Sequence, residues 1–225
     1  MISALVTDFY ELTMMQGYFL QHHNPRVVFD MFYRTNPFNG GYTIFTGLEE
    51  LVTILENFRF SEEDINYLRS LGKFQESFLE YLASYRFTGD LYAFDEGTPA
   101  FPQEPLIRVE TNMLDAQLIE SVLLNTINFQ TLIATKASRM KLATKSHGSI
   151  MEFGLRRAQG MDGALSASRA CYIGGADVTS NTLAGKEFGI PVAGTMAHSW
   201  IMLFSDEYEA FRAFADIYPN NCILL

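Results

Sequence analysis

The chain has 225 residues, 48% apolar and 19% charged, which excludes a disordered polypeptide, because enough apolar surface is present to offset chain entropy. That length fits one large domain or two small ones. Sixteen Lys and Arg face 26 Asp and Glu, a net charge of −10. This argues against a general nucleic-acid or anionic-membrane binder, so any phosphate chemistry must rest on a local basic cluster.

The first residues, Met1 to Asp8, carry no basic residue ahead of the apolar stretch, and Asp8 and Glu11 interrupt it early. They do not read as a signal peptide. Apolar runs are too short for a bilayer span, and Cys171 and Cys222 are too few for a disulfide framework. A cytoplasmic location is expected.

In chain order, Thr7 to Leu20 reads as a helix and Val27 to Tyr33 as a strand. Asn36 to Gly41 is a turn or loop by its Pro, Asn and Gly content. Ser61 suits the N-cap of a helix from Glu62 to Leu71, with acids in the first turn and Gly72 beyond its end. A helix over Phe74 to Tyr85 precedes short strands at Asp90 to Phe94, Thr98 to Ala100 and Leu106 to Glu110. A long helix follows from Met113 towards Lys145, and Lys136, Arg139, Lys141 and Lys145 concentrate positive charge on it. Those four are either a solvated face or a basic patch.

Beyond Ser149 the rhythm changes. Ile150 to Gly154, Ala170 to Gly174 and Pro191 to Thr195 read as strands. A helix from Ser180 to Phe188, closed by Gly189, lies between the last two. Another from Asp206 to Ile217 is capped by Ser205 and halted by Pro219, after which Cys222 to Leu225 reads as the start of a further strand. Strand–helix alternation predicts a parallel α/β assembly. A closed (β/α)₈ barrel takes about 250 residues, so the expectation is an N-terminal α/β domain with a long helical linker over residues 1–145, and the first βα units of an incomplete α/β barrel over residues 146–225.

Chemistry concentrates in a few segments. Arg156 and Arg157, bracketed by Gly154 and Gly160, follow a strand, where parallel folds build sites. Their guanidinium forks suit carboxylate or phosphate, the plain alternative being two surface arginines in salt bridges. His198 follows the last strand candidate with Thr195 and Ser199 beside it. A neutral imidazole there is a nucleophile towards phosphorus, against the alternative of a structural histidine. His22, His23 and His147 have no such setting. Gly174-Gly175, with Asp177 and Ser180 next, is either a phosphate-facing helix start or a tight turn. Asp8, Glu11 and Glu152 read as capping or arginine-pairing acids. No metal-ligand spacing, Walker loop or dinucleotide fingerprint is present.

Taken together, Thr7-Asp8-Phe9-Tyr10-Glu11-Leu12-Thr13-Met14, Phe38-Asn39-Gly40-Gly41-Tyr42, Glu152-Phe153-Gly154-Leu155-Arg156-Arg157-Ala158-Gln159-Gly160 and Gly194-Thr195-Met196-Ala197-His198-Ser199 resemble the nicotinate phosphoribosyltransferase family. The resemblance runs from about Leu5 to Leu225 and implies the type II phosphoribosyltransferase-like α/β fold. It implies ATP-coupled, ligase-type formation of nicotinate mononucleotide and diphosphate from nicotinate and 5-phosphoribosyl-1-diphosphate, a step of NAD biosynthesis. By the same resemblance His198 is the transiently phosphorylated histidine, Arg157 acts with it, and Tyr10, Thr195, Ser199 and Arg156 bind substrate. ATP with Mg²⁺ is the implied co-substrate, without a prosthetic group, nucleic acid or membrane partner. The resemblance also implies a homodimer, or, since family members are longer, completion by a missing C-terminal half. The alternatives are a nicotinamide- or quinolinate-type phosphoribosyltransferase, or a non-catalytic subunit of a split enzyme.

Overall fold

The computed structural model describes residues 2–145, 148–220 and 222–224. Helix α1 (Phe9–Leu20) starts after an extended Asp8 and buries Glu11, Leu12 and Met15. Strand β1 (Arg26–Met31) follows, then a 3₁₀ turn at Pro37–Asn39 and the two-residue strand β2 (Thr43–Ile44). Three short helices come next, α2 (Leu48–Glu56), α3 (Glu62–Ser70) and α4 (Glu76–Ala83). The cap expected at Ser61 forms a full capping box: its hydroxyl accepts from the Asp64 amide, and the Asp64 carboxylate accepts from the Ser61 amide. Strands β3 (Asp90–Ala93), β4 (Pro99–Ala100) and β5 (Ile107–Asn112) complete the antiparallel part of the molecule.

Strand β5 is the centre of the sheet β1-β5-β3, and Val109 stands opposite both Phe29 and Leu91. Alternation puts Ile107, Val109 and Thr111 on the buried face. The other face carries Arg108, which holds Asp30 through two hydrogen bonds of 2.9 and 3.1 Å. Strand β2 pairs with β4. The core behind these layers includes Met15, Phe45, Leu51, Phe58, Phe78 and Leu118, all essentially without solvent exposure.

The long helix expected from Met113 to Lys145 is two helices, α5 (Met113–Leu118) and α6 (Glu120–Ala143), meeting at Ile119. Its basic residues are engaged. Lys136 lies 5.1 Å from the Phe38 ring centroid, Arg139 donates to the Phe38 carbonyl, and Lys141 pairs with Asp177 at 2.7 Å. They fasten the Phe38 loop and the following layer to α6.

That layer begins with β6 (Met151–Glu152) and a 3₁₀ turn at Leu155–Arg157. It continues through α7 (Met161–Ile173), β7 (Val178–Thr179), α8 (Thr182–Phe188), α9 (His198–Ile201) and α10 (Glu207–Ile217). Strands β6 and β7 are parallel with α7 as crossover, and Thr179 makes one further parallel bridge to Val192. Several expectations are corrected here. Ala170 to Gly174 is the end of α7 rather than a strand, because Ala170 packs beside Ala134 of α6 and an apolar run alone does not separate the two states. Gly174-Gly175 therefore follows a helix and leads to β7, leaving no phosphate-facing helix start at that point. Only Val192 of Pro191 to Thr195 pairs. Asp206, not Ser205, caps α10, accepting from the Glu209 amide at 2.8 Å. Residues 222–224 carry no strand, while Leu225 and His147 lie outside the described residues. Among the described residues no helix is long and apolar enough to cross a membrane.

Candidate functional site

Strands β6 and β7 and the bridged Val192 segment run parallel, so their C-terminal ends open on one side. The chain leaves β6 through Phe153-Gly154 into the 3₁₀ turn, where the Arg157 amide donates to the Gly154 carbonyl at 2.8 Å. It leaves β7 at Ser180, whose amide donates to the Glu152 carbonyl at 2.9 Å. The third exit is Gly194-Thr195, tied down by the Ala193 amide donating to the Thr179 carbonyl at 3.1 Å. Phe153, Leu155, Arg156, Arg157, Ser180, Gly194 and Thr195 line a cavity of about 460 Å³ between them.

Arg156 and Arg157 are exposed, and neither makes an ion pair among the described residues. Two unneutralised guanidinium groups beside an aromatic wall and two hydroxyls form a receptor for a flat or phosphorylated anion. The salt-bridged alternative is not what the geometry shows.

His198 opens α9 three residues beyond Thr195, with Ser199 next, and both are exposed. The His198 carbonyl accepts from the Met202 amide at 3.0 Å, and the ring has no hydrogen bond or ion pair among the described residues. It is not held as a structural histidine. His22 and His23 are exposed just past the end of α1.

Tyr10 belongs to a different cleft of the chain. With Thr7, Asp8, Tyr33, Glu120 and Ser121 it lines a space of about 690 Å³. Its phenol donates to Glu120 Oε1 at 3.2 Å. Desolvation first, then the Glu120 and Glu11 carboxylates, push the phenol up to about 12, so it remains a donor at neutral pH. Thus Arg156, Arg157 and Thr195 meet within one chain, His198 and Ser199 open the helix α9 that follows Thr195, and Tyr10 lines a separate surface.

Sequence reasoning missed Phe153, Ser180 and Gly194 as cavity walls. Phe153 and Ser180 immediately follow β6 and β7, and Gly194 lies two residues past the bridged Val192, a positional signal that marks all three. Glu152 was read as an arginine partner or cap, but its carboxylate accepts from Thr179 Oγ1 at 2.6 Å, Ser168 Oγ at 2.9 Å and the Gly154 amide. Burial pushes the Cys171 thiol up to about 12, which removes it as a nucleophile. Among the described residues no three His, Cys, Asp or Glu converge as a metal site.

The family model for the nicotinate phosphoribosyltransferase (NAPRTase) N-terminal domain matches residues 5–128. A nicotinate phosphoribosyltransferase of Mycobacterium tuberculosis is 44% identical over 224 residues, covering 100% of this chain and 48% of that protein. The crystal structure of human nicotinic acid phosphoribosyltransferase superposes with a TM-score of 0.82 at 39% identity, over 88% of this chain and 41% of the human one. That of a nicotinate-nucleotide pyrophosphorylase from Pyrococcus furiosus gives 0.80 at 25% identity, over 98% of this chain and 49% of the other. The chain spans about half the length of the curated relatives it matches. On these matches, and on the α/β layer just described, the chain has a type II phosphoribosyltransferase-like fold and belongs to the nicotinate phosphoribosyltransferase family.

Proposed function

We propose that the complete gene product joins nicotinate to 5-phosphoribosyl-1-diphosphate, forming nicotinate mononucleotide and diphosphate for NAD biosynthesis, with coupled hydrolysis of ATP. The observation that carries the reading is the unpaired Arg156–Arg157 turn facing Phe153 and Thr195 across one cavity. An arginine fork takes the nicotinate carboxylate or a substrate phosphate, the Phe153 ring offers an apolar face to the pyridine, and the Thr195 hydroxyl orients it. Bond exchange at the sugar then needs positioning and charge neutralisation more than covalent machinery.

His198 is the candidate phosphate acceptor. A neutral imidazole nitrogen forms an N–P bond to the terminal phosphorus of ATP, ADP departs, and hydrolysis of the phosphohistidine later returns free phosphate. Phosphorylation adds about −1.5 to −2 charges a few residues from Thr195, enough to rearrange the nearby arginines. Ser199 is a second hydroxyl for that phosphate. Mg²⁺ fits as a companion of the polyphosphates, since it is commonly held by substrate phosphates and waters with few protein ligands. Bound in that way it supplies charge neutralisation at the departing diphosphate. In this reading the protein works as a homodimer, and Tyr10, which lines a different cleft of the chain, is left outside the arginine cavity. The setting is cytoplasmic.

The test is an assay of the complete gene product with nicotinate, nicotinamide or quinolinate, each with 5-phosphoribosyl-1-diphosphate and with or without ATP. Product is expected from nicotinate, with a rate that ATP increases. Arg156→Ala combined with Arg157→Ala should lower kcat/KM about 100-fold, as expected for two lost charge-assisted contacts. His198→Ala should abolish ³²P incorporation from labelled ATP. Turnover of nicotinamide or quinolinate instead of nicotinate, or undiminished labelling of His198→Ala, overturns the reading.

A further inference from the structure

The walls of the arginine cavity come from three separate chain exits, and one carboxylate lies beneath them. Glu152 ends β6. Its Oε2 accepts from Thr179 Oγ1 of β7 at 2.6 Å and from Ser168 Oγ of α7 at 2.9 Å. Its Oε1 accepts from the Gly154 amide, the first link of the turn that carries Arg156 and Arg157. The network continues inward: Asn181 Nδ2 donates to Ser168 Oγ at 3.2 Å, the Asn181 amide donates to Thr179 Oγ1 at 3.0 Å, and Asn181 Oδ1 caps α8. Ser168, Thr179 and Asn181 are 1%, 1% and 3% exposed. No cation pairs with Glu152 among the described residues.

A half-buried carboxylate that accepts from the turn, from β7 and from α7 at once ties three separate elements to one fixed geometry. We infer that Glu152 is a positioning residue: by holding the Gly154 amide with one oxygen and the β7–α7 hydroxyls with the other, it sets the Arg156–Arg157 turn at the angle and depth that let it receive the anionic substrate. Glu152 does not line the cavity itself. Its effect passes through Gly154, whose carbonyl in turn accepts from the Arg157 amide at 2.8 Å. The inference rests on the proposed phosphoribosyl transfer for the identity of the anion, and on the hydrogen bonds alone for the ordering of the turn.

Two readouts keep those apart. Hydrogen exchange of the peptide covering residues 153–157 needs no substrate. In Glu152→Ala its exchange should quicken about tenfold, because the Gly154 amide loses its acceptor. Steady-state kinetics should show KM for nicotinate or for 5-phosphoribosyl-1-diphosphate, the two anions the arginine fork suits, raised about tenfold, with kcat changed less than about threefold. Glu152→Gln should recover most of both: its amide oxygen still accepts from Gly154, and its NH₂ faces hydroxyls that accept as well as donate. Ser168→Ala, remote from the cavity, should shift KM in the same direction by about threefold, and it carries the test should Glu152→Ala not fold. Unchanged exchange in Glu152→Ala, or unchanged KM in Ser168→Ala, overturns the positioning role. So does an equal fall in activity across all variants that tracks loss of folded protein. Faster exchange in Glu152→Ala, together with no transfer to nicotinate by the unaltered protein, overturns the functional reading and leaves the ordering of the turn standing.

Discussion

Glu11 has no solvent exposure, and among the described residues no arginine or lysine pairs with it: Thr7 Oγ1 donates to one carboxylate oxygen and Ser121 Oγ, at 3.0 Å, to the other. Burial pushes its carboxyl above the usual range, the two hydroxyls pull it back, and the neighbouring Glu120 charge raises it again, with a net upward shift. A raised carboxyl in the folded state binds its proton more tightly than in the unfolded chain. The stabilisation linked to that proton is therefore full at low pH and is lost as pH rises from the ordinary carboxylate range through the folded value. Glu11→Gln removes this titration while keeping the shape. Both hydroxyls have second acceptors, the Leu118 carbonyl for Thr7 at 3.2 Å and Asp8 Oδ2 for Ser121 at 2.8 Å, so neither is orphaned. Chemical denaturation across acid to neutral pH should show the Gln variant gaining on the unaltered protein as pH rises. A difference that shrinks over that interval would refute the assignment.

Helices α6 and α7 meet through their smallest residues, Ala134 and Ala137 on one side and Ala170 and Gly174 on the other. A methyl group at Gly174 would lie 2.3 Å from the Ala134 carbonyl oxygen and 2.9 Å from Ala137 Cβ. Both neighbours are in or on a helix backbone and do not yield like a flexible side-chain tip. Gly174→Ala should consequently cost about 2 kcal/mol and lower the melting temperature by roughly 4–8 °C, measurable by calorimetry, despite the better helix propensity of alanine. This contact also explains the limits of sequence reading. Ala170 to Ile173 has no polar residue to betray its period, and only the docking on α6 decides that it is helical. Where a helix end had a side-chain signature, as in the Ser61–Asp64 box, it was legible. The choice of Ser205 over Asp206 failed because both precede acidic residues and only backbone geometry separates them. The strands of the parallel layer are two residues each, too short to alternate. At the site, the arginine pair, Thr195 and Glu152 all stand in the linear motifs, but the role of Glu152 was not legible there, since its hydroxyl partners lie 16 and 27 residues away.

Across the whole molecule, the links between the antiparallel and the parallel layer include α6, the Ser166 hydroxyl on Glu50, and a cluster of charges. Arg169 of α7 reaches Glu96 with two hydrogen bonds of 2.9 and 2.6 Å and also pairs with Glu49 of α2. The Arg169 and Glu96 side chains are 11% and 17% exposed. Burial raises the Glu96 carboxyl, but Arg169 and the Gly47 and Leu48 amides more than reverse this and hold it below the usual range. A depressed carboxyl contributes stability that is present above its unfolded value and is lost as pH falls through the folded one. Removing Arg169 strands Glu96 only partly, because the two amides at the start of α2 still donate to it. Arg169→Ala should then cost about 2–3 kcal/mol, below the usual loss for a fully buried pair, and should weaken the acid-side loss of stability. Since the pair is shielded, about 0.5 M salt should leave that cost nearly unchanged. Arg26→Ala is the control: its partner Asp90 is 61% exposed and Arg26 itself 67%, so its effect should be close to nil. Equal costs for the two variants, or a cost at Arg169 that salt abolishes, would refute the part given to the Arg169–Glu96 pair in joining the two layers.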